Sequence, residues 1–168
     1  MATLTTTVTE TLTLNGQSYN SIQSKTIASI TQALKTTVTC LNSAETAILG
    51  VAAAGSTDLG KSYVAGQFDQ DSVRYIRITN LDASNYVLLT IRNSGNSDAN
   101  EVAIKLDKGA SFIYGVDLDA GTEATLTSGT SALSIGAGDT LNNLIDIVGI
   151  ANGGDCKLEV FVASLDAA

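Results

Sequence analysis

Between residues 72 and 93 the chain reads SVRYIRITN, LDAS, NYVLLTIRN. Ile76 and Ile78 alternate with Arg77 and Thr79, and Val87, Leu89 and Ile91 alternate with Leu88, Thr90 and Arg92. A period of two sends successive side chains to opposite faces of a strand, whereas a helix needs recurrences of three and four. Such a stretch is half-buried sheet. The same period returns in ETLTL, EVAIKL, ASFIYGV and CKLEVFVAS. Turn signals separate these runs: Asn15–Gly16, a strong hairpin signal, then LDAS, DKG and NGGD. The local reading is a hairpin across LDAS, a second joining EVAIKL to ASFIYGV, and a third joining NNLIDIVGIA to CKLEVFVAS.

Two segments are ambiguous. In residues 27–41, Ile27, Ile30, Leu34 and Val38 fit a helix face, but the Thr-rich, β-branched second half favours a strand from about Leu34. In residues 141–148 the spacing of Leu141, Leu144, Ile145 and Val148 also fits a helix, and the β-rich partner segment favours a strand. AETAILGVAAAG reads as a short apolar run ending in a loop. Residues 117–138 are rich in Gly, Thr and Ser and read as loops with short strands. About nine or ten strands with frequent turns predict an all-β, two-sheet sandwich, with a jelly roll as first choice. Residues 1–25 are poor in apolar side chains and read as an extended arm or hairpin that orders on a partner. Residues 26–168 read as a single sandwich domain.

Composition narrows the function. Seventeen acidic against 9 basic residues give a net charge of −8, and no basic stretch offers a track for a phosphate backbone, so nucleic acid is not an expected partner. The chain has no His, which removes the commonest general base and zinc ligand. No apolar run approaches the ~18 residues of a membrane span, and MATLTTTVTE lacks the zones of a signal peptide. The expectation is a soluble protein made in a reducing cytoplasm. Cys40 and Cys156 are then two small buried apolar residues rather than a disulfide.

Residues 55–62, GSTDLGKS, match the phosphate-binding P-loop pattern literally. The pattern works when a helix begins at its Lys-Ser, so that backbone N–H groups and the helix N-terminus hold phosphate. Here SYVAGQFDQDSVRYIRI follows, with Gly66, acidic residues and then a strand, leaving no room for the helix of a βαβ unit. A coincidental match is the better reading. Asp117, Asp119 and Glu123 in DLDAGTE have calcium-like spacing without the remaining ligands of an EF-hand loop, and read as a solvated acidic loop. No enzyme activity, cofactor or metal is expected.

The 72–93 segment holds all three arginines of the chain. If Asn80 faces Asn85 across LDAS, one face carries Ile76, Ile78, Val87, Leu89 and Ile91 toward the core. The other carries Tyr75, Arg77, Tyr86, Leu88 and Arg92. Tyr and Arg beside aliphatic side chains are favoured in protein interfaces, which makes Tyr75, Arg77, Tyr86 and Arg92 the candidate interface. The competing reading is a face covered by the chain itself, with the Arg heads reaching solvent.

The phrases SVRYIRITNLDASNYVLLTI, KLDKGASFIYG and CKLEVFVAS resemble small virion structural proteins of tailed bacteriophages, particularly marine and cyanobacterial ones. The resemblance covers about residues 68–114 and 155–164. It rests on the strand phrase VRYIRITN, the turn L-x-x-G-x-S-F and the closing E-V-F-V-A. It does not extend to the Ala/Gly/Ser-rich residues 51–66. It implies a structural component of the phage particle with no catalytic residues to carry over, made in the host cytoplasm and located on the virion. A capsid decoration protein on the head surface, forming a homotrimer and contacting the major capsid protein, is the first expectation. A tail-tube, tail-tip or fibre-associated protein is the alternative. From another class, a carbohydrate-binding module would use Tyr75 and Tyr86 as a stacking platform.

Overall fold

Alternation becomes strand in each described segment that carries it. The computed structural model describes residues 1–50, 68, 72–93, 101–114 and 144–165. β1 (Ala2–Glu10) pairs antiparallel with β4 (Ser21–Ile30), and between them β2 (Thr13–Leu14) and β3 (Gln17–Ser18) form the tip of a long hairpin. The turn at the tip holds Asn15 at φ 52° and Gly16 at φ 78°, left-handed values that Asn and Gly tolerate and that match the twist of a two-residue hairpin.

The body follows with β5 (Gln32–Cys40), β6 (Thr46–Gly50), β7 (Val73–Asn80), β8 (Val87–Asn93), β9 (Glu101–Leu106), β10 (Ser111–Tyr114), β11 (Leu144–Ala151) and β12 (Cys156–Ser164). Pairing is nested: β5 with β12, β6 with β11, β7 with β10, β8 with β9. The body is thus one antiparallel ribbon. It is rolled so that β7 also meets β12 and β8 also meets β11. The product is a sheet ordered β10-β7-β12-β5 (sheet 1) facing one ordered β6-β11-β8-β9 (sheet 2). This is a jelly roll, the expected sandwich.

The inward faces supply one core. Ile76 and Ile78 of β7 and Leu158, Val160 and Val162 of β12 meet Val87 and Leu89 of β8 and Ile147 of β11, all of them buried. Packing is close enough that Gly149 has no room for a side chain. A Cβ there would lie 2.7 Å from Ile48 Cδ1 and 3.2 Å from both Cys40 Sγ and Val87 Cγ1. Cys40 and Cys156 are free, fully buried thiols, directly opposite each other in the β5–β12 ladder.

The three local hairpins are corrected. β7 and β8, β9 and β10, and β11 and β12 each lie in opposite sheets, so LDAS, DKG and NGGD are arches over the end of the sandwich. A few turn residues can bridge ~4.8 Å between paired strands or ~10 Å between packed sheets, and a turn motif does not say which. The LDAS arch is held by a buried side chain. Asn80 Nδ2 donates to Asn85 O (2.9 Å) and Leu106 O (3.3 Å), and Asn80 Oδ1 accepts from Asp82 N (3.0 Å). Asp82 Oδ1 in turn accepts from Asn85 N (2.6 Å) and Ser84 N (2.7 Å), which holds this carboxyl below the usual range.

Residues 27–41 are strand on both sides of Thr31. Their helix-like spacing has a local cause. Ala2 and Leu4 pair with Ile30 and Ile27, so β4 carries one residue more than β1 over that interval, and Ser29 takes up the excess at φ 63°. This bulge turns Ile27 and Ile30 to the same side despite their odd spacing.

A candidate interaction face beside the hairpin

The outer face of sheet 1 is where the hairpin joins the body. Ile27 and Ile30 bury themselves against Tyr75 of β7 and Ala163 of β12, with Leu4 and Phe161 packed at the margin. Tyr75 meets Phe161 edge-on, ring centroids 5.8 Å apart. Beyond this anchor the hairpin leaves the body: residues 7–20 are exposed throughout. Leu12, Leu14, Tyr19 and Ile22 are 53 to 72% exposed. A two-stranded ribbon has no second layer to cover them.

Next to the anchor runs a charged row. Arg77 Nη2 donates to Glu159 Oε1 at 2.6 Å, and Lys35 Nζ reaches Glu159 Oε2 at 3.0 Å. The guanidinium also lies 5.8 Å from the centre of the Phe161 ring. Arg77 Nε is buried without a hydrogen-bond partner. Between this row and β1 lies a groove of about 500 Å³ bordered by Tyr75, Arg77, Phe161, Ile113 and Lys35 on the body and by residues 4–8 on the hairpin. Thr5, Thr6 and Thr7 all border it, although neighbouring residues of a strand point to opposite faces. It is therefore the edge of β1 that faces the groove. Among the described residues that edge has no strand beside it, since β1 pairs with β4 alone.

The candidate interface residues fall in two places. Tyr75 and Arg77 project from the outer face of sheet 1, where the hairpin base buries Tyr75 to 5% exposure. Tyr86 precedes β8 on the other side of the sandwich, its ring 4.7 Å from Lys105 Nζ, and Lys105 pairs in register with the exposed Leu88. Arg92 stands on β8 opposite Asp146 and Glu101, and its side chain lies outside the described residues. The sequence placed all four on one hairpin face, but β7 and β8 are not paired, so Arg77 and Tyr86 form no central pair. Nor do Tyr75 and Tyr86 form a stacking platform. The core half of that reading holds: Ile76, Ile78, Val87 and Leu89 all point inward, facing one another across the sandwich. Sequence reasoning read an arm or hairpin in residues 1–25 and missed its anchor, the docking of Ile27 and Ile30 on Tyr75 and Ala163. The signal was the odd spacing of Ile27 and Ile30, which no regular strand satisfies on one face.

The P-loop match at 55–62, the acidic trio Asp117, Asp119 and Glu123, and residues 51–66 lie outside the described residues. Among the described residues no three His, Cys, Asp or Glu side chains come together as a metal site.

The titrating groups predict a stability profile. Burial pushes both thiols up, and Cys40 is raised further by Cys156 beside it. Burial also raises the phenols of Tyr75 and Tyr114, in Tyr75 against a lowering by Arg77. A raised acid keeps its proton in the fold at a pH where the unfolded chain has already lost it. Stability is therefore full below the ordinary values, 9.0 for the thiols and 10.0 for the phenols. It falls as pH rises through them toward the folded values. Urea midpoints should hold up to about pH 9 and then decline, less steeply in Tyr114→Phe. A midpoint unchanged into strong alkali would contradict this.

No known protein family, curated protein or solved structure matches the chain.

Proposed function

We propose that this chain is a non-enzymatic structural protein of a tailed-bacteriophage particle, bound to the head surface as a decoration protein and assembled as a homotrimer against the major capsid protein. The observation that carries the reading is a closed jelly roll from which a hairpin projects with Leu12, Leu14, Tyr19 and Ile22 in solvent. Apolar side chains grouped on a ribbon that cannot bury them mark an interaction site. Symmetric placement on a shell multiplies such contacts, so each can be modest. The phrases that resemble phage virion proteins support the reading at the level of the body: VRYIRITN is β7 and CKLEVFVAS is β12, adjacent strands of sheet 1. These strands build the body, and the partner is read by the hairpin and the face beside it.

Labelled antibody against the chain, viewed by electron microscopy on intact particles, tests the proposal. The expected result is label at regular positions on the head. Label confined to the tail would replace it with the tail-protein reading, and particles lacking the chain altogether would overturn both.

A further inference from the structure

The hairpin tip and the groove beside the hairpin base are complementary but far apart on one chain. Ile27 and Ile30 fix the base to the body, and β1 itself is one wall of the groove. The hairpin wall of the groove ends at Val8, and from there to Gly16 the ribbon spans on the order of 25 Å at ~3.3 Å per residue, so a ribbon that does not fold back keeps the tip of a chain out of its own groove. We propose that the tip of one copy occupies the groove of a second copy, joining copies head to tail. This rests on the reading of the chain as a component of a symmetric assembly and names the contact between copies.

Three properties of the groove select the tip. Its body side carries an apolar strip of Phe161, Tyr75 and the half-exposed Ile113, flanked by Lys35, Arg77 and Ser111, and its volume of about 500 Å³ is that of a cleft able to take side chains. The tip brings Leu12, Leu14 and Tyr19. Its other wall is the open edge of β1. Natural sheets protect such edges with charge or Pro, and from Ala2 to Thr9 this strand has neither. An incoming strand of the ribbon can therefore add to it through main-chain hydrogen bonds. The third property is charge. Lys35 and Arg77 share the single carboxylate of Glu159, leaving the rim one positive charge in excess. Residues 2–24 carry one charged side chain, Glu10, and it is negative. A tip-in-groove contact uses two different surfaces, so it is heterologous and closes into a ring when the rotation between copies permits.

The full-length chain and two variants test this by sedimentation velocity and light scattering. Leu14→Asp spoils the tip, and Ile113→Arg spoils the groove. Both residues are exposed in the single chain, so thermal melts should stay close to wild type and confirm folding. The wild type should self-associate, and each variant alone should be a monomer. Mixed in equal amounts, the two variants should form a one-to-one pair of twice the monomer mass, because the intact tip of one finds the intact groove of the other. A monomeric wild type at high micromolar concentration overturns the contact, while the place of the chain on a particle is judged separately by the antibody label. Variants that associate as well as wild type, or a mixture that stays monomeric while the wild type associates, also overturn it. Association of Ile113→Arg as strong as that of wild type, with Leu14→Asp monomeric, would indicate a symmetric tip-to-tip contact instead.

Discussion

Ile78→Ala should lower the unfolding free energy by about 2–5 kcal/mol, with Leu89→Ala in the same range. Both side chains are fully buried and belong to one cluster that spans the two sheets. Ile78 sits between Val160 of β12 and Phe112 of β10 in the ladder, so its backbone is held on both sides. The ladder cannot close in on the vacated space, and the cavity term adds to the lost burial. The control is Ile113→Ala on the neighbouring strand. Ile113 is paired with Arg77 on the outer face and is 45% exposed, so it should cost well under 1 kcal/mol. Urea unfolding at neutral pH measures both, and the slope against denaturant should not change. Equal losses at Ile78 and Ile113 would mean that the inner and outer faces have been assigned wrongly.

That contrast also shows what could be read before any coordinates. Alternation along a strand fixes which side chains share a face, and Ile76, Ile78, Val87 and Leu89 were legible as core for that reason. Alternation says nothing about which strand lies alongside. The turn residues between runs read as hairpin turns, whereas three of the four, LDAS, DKG and NGGD, are arches between sheets. Jelly rolls hide their pairings because the partners are remote: Thr36 pairs with Val160 and Ala47 with Val148, while chain neighbours face each other across the core. Of the four turn signals, Asn15–Gly16 alone links strands that pair with each other, and there the local signal was sufficient. The single face expected for Tyr75, Arg77, Tyr86 and Arg92 does not form, for the same reason as the hairpins. Tyr75 and Tyr86 share a face only if β7 and β8 are side by side. The hairpin base was harder still, because Ile27 and Ile30 obey neither period until a bulge at Ser29 is allowed for.

Ile27→Asp should release the hairpin and leave the jelly roll standing. Ile27 is 2% exposed, enclosed by Ile30, Tyr75 and Ala163 with Leu4 and Phe161 at the edge. An ionised carboxylate placed there without a partner would cost several kcal/mol if the site stayed closed. The hairpin has a cheaper course. Its other residues out to the tip bury almost nothing against the body, so undocking sacrifices only the small cluster around Ile27 and Ile30. The main core does not include these residues, and the melt of the body should therefore shift little. Local opening of this kind is read by methods that see the segment rather than the whole. Limited proteolysis should cut within residues 1–26 many-fold faster in Ile27→Asp than in wild type and then stop at a stable body. Tyr75 should become accessible to iodination at the same time, since the hairpin base is what covers it. The released hairpin should also cost the chain its self-association, because both the tip and the β1 wall of the groove lose their fixed positions. A variant that melts globally at a much lower temperature would show instead that the hairpin base is part of the cooperative core. One that resists cleavage like wild type would show that contacts beyond Ile27 and Ile30 hold the hairpin to the body.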